Sequence, residues 1–242
     1  MATFVQTNVG LYWGGYSLAS SFNAIAMNMG NSPQDDTVYG DSFQSNASGL
    51  SSIQCEAEGF WESATDAVLQ SGLAINAADT VLSVTPTGSA TAGLPSIFSK
   101  VTTSTYNPIS TGTVGSMMGF SLSAEGRGEK SVTGEIFVIP ATTHTSSSTS
   151  TVNSSIGAVS ATQKIYSALH AISTSGTLVV TVKSASNLAF DADVTTELTH
   201  TQVDSTVTAE MLSKAGAITN AFWRVDFTVS GSYQFIVSLG IT

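Results

Sequence analysis

The side chains able to do chemistry in this sequence are few, and their spacing limits what they can do. His144, His170 and His200 have no His-x-x-x-His spacing and no acid at a regular offset. Metal motifs need imidazoles and thiolates at short fixed intervals, so no metal site is expected. Cys55 is the single cysteine, which excludes an intrachain disulfide and a Cys-based zinc cluster within one chain. A small buried hydrophobe is its expected role. Asp35 and Asp36 are adjacent, and adjacent side chains on extended chain point apart, so they read as a loop tip rather than an acid pair. No Gly-x-Ser-x-Gly elbow, phosphate-binding loop or dinucleotide fingerprint occurs. The expectation is a chain with no catalytic residues, no metal and no cofactor.

The acids with a defined geometry are Glu56 and Glu58. Across 52–60, Ile53, Cys55 and Ala57 alternate with Gln54, Glu56 and Glu58, the pattern of a half-buried strand. The two carboxylates then sit about 7 Å apart on one face. That face is either a solvated surface or a wall turned toward an anion.

The elements that must position these residues read as strands divided by turns. Residues 22–29 alternate, and Asn31-Ser32-Pro33-Gln34-Asp35-Asp36 breaks the pattern. Residues 62–74 are the best helix, with Ser63 and Asp66 in capping-box spacing and Gly72 as the stop. The Pro- and Gly-rich stretch 83–115 suits loops or short edge strands. Strands return at 117–125 and 133–139 around the turn Gly126-Arg127-Gly128. Fourteen of the fifteen residues in 141–155 are not large apolar ones, so that segment is expected to be an exposed linker between a 1–140 lobe and a 156–242 lobe. In 160–172 a capping box at Ser160 and Gln163 competes with a strand pattern. At the C-terminus, two alternating runs flank Ser230-Gly231-Ser232 and read as a β-hairpin, with 177–183 beside it. Segments 53–59 and 120–126 both end Ala-Glu-Gly, a weak echo that leaves room for two related lobes.

Composition points the same way. The 242 residues include 38 Ser and 32 Thr, while only 10% are charged. Short hydroxyl side chains compete with helical hydrogen bonds, which favours an all-β fold. The net charge is −10, and residues 1–99 hold eight acids and no Lys, Arg or His. Tight nucleic-acid binding needs cations to displace counterions, so adhesion to DNA or RNA is excluded as an expectation. The N-terminus shows no basic and apolar signal pattern, and no apolar run approaches a membrane span; a soluble, cytoplasmically made protein is expected.

Several stretches carry a resemblance. Tyr12-Trp13-Gly14-Gly15-Tyr16, the acidic run Asp35-Asp36-Thr37-Val38-Tyr39-Gly40-Asp41, Gly49-Leu50, and Cys55-Glu56-Ala57-Glu58-Gly59-Phe60-Trp61 follow in that order. Phe222-Trp223-Arg224-Val225 and Phe235-Ile236-Val237-Ser238-Leu239-Gly240 close the chain. They resemble the major tail-tube proteins of long, non-contractile-tailed bacteriophages, a likeness that spans about two thirds of the chain. The resemblance implies an all-β sandwich or partial barrel with a short flanking helix, assembled in the host cytoplasm into the virion tail. The partners it implies are copies of the same chain, in three- or six-fold rings stacked into a tube, and other tail proteins, the tape measure and the terminator. DNA would pass without adhering, and no membrane is involved. In that frame Glu56, Glu58 and Glu125 are expected to face the lumen. The loop bearing Asp35, Asp36 and Asp41 is expected to touch the neighbouring ring, with 141–155 as a second candidate arm. The length and the echo favour three copies per ring. The competing expectation is a capsid decoration or receptor-binding β-sandwich, favoured if Tyr12, Trp13, Phe60 and Trp61 gather at the surface.

Overall fold

A computed structural model describes residues 9–39, 42–47, 51–71, 79–86, 91–111, 113–139, 142–150 and 152–242. The chain is all-β with one helix among these residues. In order the elements are β1 Gly10–Trp13, β2 Tyr16–Ser17, β3 Phe22–Asn31, β4 Gln34–Asp35, β5 Asn46–Ala47, β6 Ser51–Phe60, α1 Ser63–Ser71, β7 Thr80–Thr85 and β8 Pro95–Thr111. Then follow β9 Gly119–Gly126, β10 Val132–Val138, β11 Ser148–Thr149, β12 Lys164–Ala185, β13 Thr195–Thr199, β14 Val203–Asp204, β15 Thr208–Ala215 and β16 Phe222–Ile241.

The compact units do not follow the expected division at 141–155. One comprises 1–20, 80–99 and 132–242, the other 21–79 and 100–131. The expected linker fails to divide the chain because it is hydrogen-bonded along β16. Ser148 and Thr149 pair with Phe227 and Asp226, and isolated bridges join His144 to Tyr233 and Ser154 to Trp223.

The first unit is built on β12 and β16, which pair antiparallel from Ile165↔Ile241 to Ala185↔Phe222. Beyond β12 lie β15, β14 and β13, and beyond β16 the order continues β10, β8, β7, β1, β2. The alternating C-terminal residues are buried as their period requires: Trp223, Val225, Phe227, Tyr233, Phe235, Val237 and Leu239 form one core with Phe137, Leu169 and Val180. Trp223 Nε1 donates to the Gly157 carbonyl at 2.8 Å, which satisfies its polar edge. The expected C-terminal hairpin is absent. Gly231 instead sits inside one continuous strand, opposite Gly176. Both glycines have positive φ, and a Cβ on Gly231 would lie 2.0 Å from the Ser175 carbonyl oxygen, so only glycine fits this pair of crossing backbones.

Two further expectations change here. Residues 160–172 resolve as the start of β12. The Ser160 and Gln163 pair does form reciprocal bonds, Ser160 N to Gln163 Oε1 at 3.1 Å and Gln163 N to Ser160 O at 3.2 Å, but they close a turn before a strand. The 83–115 stretch holds the seventeen-residue β8, whose Pro95–Phe98 end pairs with β10 in a path that continues to β7 and so is internal, while its Val101–Thr111 end pairs with β9 at the edge of the second unit's sheet. Its prolines are tolerated because Pro95 opens the strand and Pro108 lies where the register shifts between Asn107 and Thr111. It follows that β9 and β10 are not hairpin partners around Gly126-Arg127-Gly128; each pairs with a different stretch of β8.

The second unit is an antiparallel sheet in the order β3, β6, β9 and the Lys100–Thr111 part of β8. The echoed segments 53–59 and 120–126 are direct neighbours in it, Ala57↔Leu122 and Cys55↔Ala124. They lie in one unit, so the echo gives no support to two lobes or to a three-fold ring. One face is buried, with Ile53, Cys55, Ala57, Phe120, Leu122, Ala124 and Val101 on it. Phe22 and Tyr106 pack edge-on against Phe120 at 5.2 and 6.2 Å. Helix α1 buries Thr65 and Leu69, one turn apart. Thr65 Oγ1 meets Ser21 Oγ at 2.8 Å, and the Asp66 carboxylate accepts from the Tyr106 hydroxyl and from Gln70. Asp66 thus ties the helix to the sheet instead of closing the capping box expected with Ser63. The expected end of the helix at Gly72 lies outside the described residues.

Candidate functional site

The exposed face of the second unit's sheet follows from the alternation of β6. Glu56 and Glu58 point away from Cys55 and Ala57 and are exposed. Cross-strand register extends the face into polar rows, Ala24–Glu58–Ser121, Ala26–Glu56–Ser123 and Asn28–Gln54–Glu125. Directly opposed side chains are about 5 Å apart at Cβ, so Glu125 adjoins Gln54, one row from Glu56. The three predicted acids are therefore brought onto one face. Gln54 Nε2 donates to Glu56 Oε1 at 3.2 Å, and Ser104 and Asn107 on β8 bond Ser123 and Ser121 at 2.9 and 3.3 Å.

These rows contain carboxylates, amides, hydroxyls and alanines, and no cation. The second unit holds ten acids and three bases, a formal −7 of the chain's −10. Two of its three bases are engaged, Arg127 Nε 2.9 Å from Asp79 Oδ1 and Lys100 3.8 Å from Glu129, and the third, Lys130, is exposed. Arg127 also reaches Thr102 Oγ1 at 3.4 Å, at the Glu125 end of the face. Cys55, beneath the acid face, is buried, and burial with the neighbouring Glu56 charge pushes its thiol up to about 12. Its expected role as a small hydrophobe agrees with that position.

The acidic loop forms a small hairpin. Strands β4 and β5 pair with each other, Gln34↔Ala47 and Asp35↔Asn46. Asp35 Oδ1 accepts from Thr37 N at 2.9 Å, and that side-chain and backbone bonding to Thr37 holds its carboxyl below the usual range. Thr37 Oγ1 accepts from Ser45 N at 2.9 Å, and Asp36 N donates to Ser45 O at 3.1 Å. Residues 31–39 and 42–47 are all exposed, Tyr39 and Phe43 among them. Asp41 lies outside the described residues. The other candidate arm, 141–155, is strapped to β16 as described above.

Of the aromatics that would have made a surface cluster, Tyr12 and Trp13 are buried and only Phe60 and Trp61 are exposed. Tyr12 packs with Ile136 and Ile236, its ring centroid 6.1 Å from that of His170, and Trp13 on the other face of β1 is fully buried.

The first unit contains a polar relay that the sequence did not reveal. Ser167 Oγ is 2.8 Å from His200 Nε2, and His200 Nδ1 is 2.8 Å from Glu210 Oε2. Thr201 donates to the same carboxylate through N at 2.9 Å and Oγ1 at 2.7 Å. The His200 hydrogen bond leads the effects that hold Glu210 down to about 2, and burial opposes it. The order Ser–His–Glu is that of a hydrolytic triad, but its orientation is reversed. Ser167 is fully buried, whereas the Glu210 side chain is 27% exposed. A serine with no exposed surface cannot meet an acyl substrate, so the relay works as a clamp joining β12, the residues after β13, and β15. A second pair, Ser83 Oγ and His170 Nε2 at 2.8 Å, joins β7 to β12, and burial pushes His170 down to about 3, keeping it neutral. The signal was absent from the sequence because the partners are 33 and 87 positions apart.

No protein-family model matches the sequence, and no curated protein matches it. Among solved structures, the chain is similar to one from a "Virion of native gene transfer agent (GTA) particle", with a TM-score of 0.40 and 8% identity. The match covers 52% of this chain and 96% of that one.

Proposed function

We propose that this chain is a structural virion protein, the subunit of a phage tail tube whose copies form stacked rings around a conduit for genomic DNA. The observation that carries the reading is the acidic sheet face on which Glu56, Glu58 and Glu125 align, its nearest cation, Arg127 at the Glu125 end, being paired with Asp79. A wall of carboxylates and hydroxyls repels phosphates only within about one Debye length, about 10 Å at 0.1 M salt, and its Glu56 and Glu58 rows offer no cation at which DNA could stick. Two further features support it. Among the described residues β3 pairs only with β6, and its stretch 22–30 leaves an edge without Lys or Pro, the kind of edge a neighbouring chain can extend. The exposed β4–β5 hairpin supplies an arm toward the next ring, and copies related by rotation close into a cyclic ring. Tape-measure and terminator proteins are the further partners of such a tube.

The exposed Phe60 and Trp61 favour a second reading, a capsid decoration or receptor-binding module. Negative-stain microscopy of the purified protein separates the two, with hollow cylinders expected for the tube and discrete particles for the module. Converting Glu56 and Glu58 together to lysine should leave cylinders intact while DNA ejection falls. Full infectivity with intact cylinders overturns the lumen assignment.

A further inference from the structure

The second unit is apolar at both ends of the same two strands. Strands β3 and β6 are antiparallel, with Asn31↔Ser51 at one end and Phe22↔Gly59 at the other. Ten residues of strand separate these ends by about 30 Å. The β4–β5 hairpin leaves from the Asn31/Ser51 end and carries Tyr39, fully exposed, and Phe43, 88% exposed. At the opposite end, β6 finishes at Phe60, which pairs with Gly119, and Trp61 N donates to Met118 O at 2.8 Å. That end gathers Phe60 (47% exposed), Trp61 (38%), Ile109 and Met117 (68% each), Met118 and Val114. Residues 107–120 contain no charged side chain. Exposed apolar groups gathered in this way mark interaction surfaces, whereas scattered ones do not.

Resting on the tube reading, we propose that the Tyr39/Phe43 hairpin of one copy seats on the Phe60/Trp61/Met117 cluster of a second copy. The two patches differ and lie at opposite ends, so the contact is heterologous, and a heterologous contact propagates from copy to copy without closing on a pair. At about 150–250 Å² for an aromatic side chain, the exposed fractions of Tyr39, Phe43, Phe60 and Trp61 total on the order of 550 Å²; the aliphatic side chains of the cluster and the backbone and polar contacts add the rest of the roughly 1,200 Å² at which specific interfaces begin. The junction gives the stack a direction, and it leaves the acid face uncovered.

The test uses two full-length variants, Phe43→Asp in the arm and Met117→Asp in the cluster, at exposed positions outside the core, with circular dichroism confirming the wild-type fold. Sedimentation velocity should show each variant alone losing at least tenfold of its long assemblies. Mixed in equal amounts, the Met117→Asp arm still fits the Phe43→Asp cluster, so the mixture should double the mass of the blocked species and go no further. Tyr39→Asp with Ile109→Asp provides an independent pair. Long assemblies from either single variant, or a mixture that shows no doubling, overturn the junction and leave the tube reading standing. A wild-type protein that stays monomeric at every concentration overturns both.

Discussion

Replacing Glu210 by glutamine isolates the energetic content of the buried relay. In the wild type the carboxyl is held at about 2 against an ordinary 4.5, chiefly by the His200 bond. A folded-state pKa below the unfolded one means the unfolded chain takes up the proton first, so the stabilisation is complete above pH 4.5 and is lost as pH falls toward 2. At about 1.4 kcal/mol per tenfold change in proton affinity, the interval is worth about 3 kcal/mol, and solvent access to the side chain lowers this to about 2–3 kcal/mol. Urea unfolding of wild type and Glu210→Gln at a series of pH values measures it. Glu210→Gln should be less stable by about 2–3 kcal/mol at pH 7 and nearly equal to wild type near pH 2. Other carboxylates titrate in both proteins, so the difference between the two curves is the readout. A difference that stays constant from pH 7 to pH 2 refutes the assignment of this stability to an ionised Glu210 clamping His200 and Thr201.

Two further expectations test the fold. Gly231→Ala places a Cβ 2.0 Å from the Ser175 carbonyl at a φ of +115° and should cost about 3 kcal/mol or more. Gly93→Ala, at φ +85° with open space around it, should cost only about 1 kcal/mol; equal losses in thermal unfolding would show that the glycine pairing with Gly176 is unimportant. Cys55, with its thiol pushed up to about 12, should resist a disulfide reagent at pH 8 in the native protein and react fully in denaturant. Rapid native reaction would place it at an opening in the sheet.

How far the sequence could be read depended on the range of the interaction. Strands at 22–29, 52–60, 117–125 and 133–139, the helix after Ser63, and the shared face of Glu56 and Glu58 rest on local periodicity, which the chain cannot hide. Residues 160–172 were ambiguous because the Ser160 and Gln163 pair closes a local turn, while the decision for a strand from Lys164 onward came from β15 and β16 on either side of it. The C-terminal runs were misread for a related reason. A three-residue loop and a continuous strand both leave Val229 and Tyr233 on the same face, so alternation cannot separate them. What settles it is a partner, β12, long enough to pair with both runs.

By itself, then, the amino-acid order determined the strand-rich class, the acid-bearing face of β6, the location of the negative charge and the acidic loop, because composition and a two-residue period act within a few neighbours. Tertiary structure alone decided which strands adjoin, that Glu125 joins Glu56 and Glu58, that Tyr12 and Trp13 are covered while Phe60 and Trp61 are not, and that two lone histidines acquire serine partners. Those outcomes depend on pairing between strands dozens of residues apart, and a hydrogen-bond ladder has no preference for sequence distance until the other faces of the core have chosen its register.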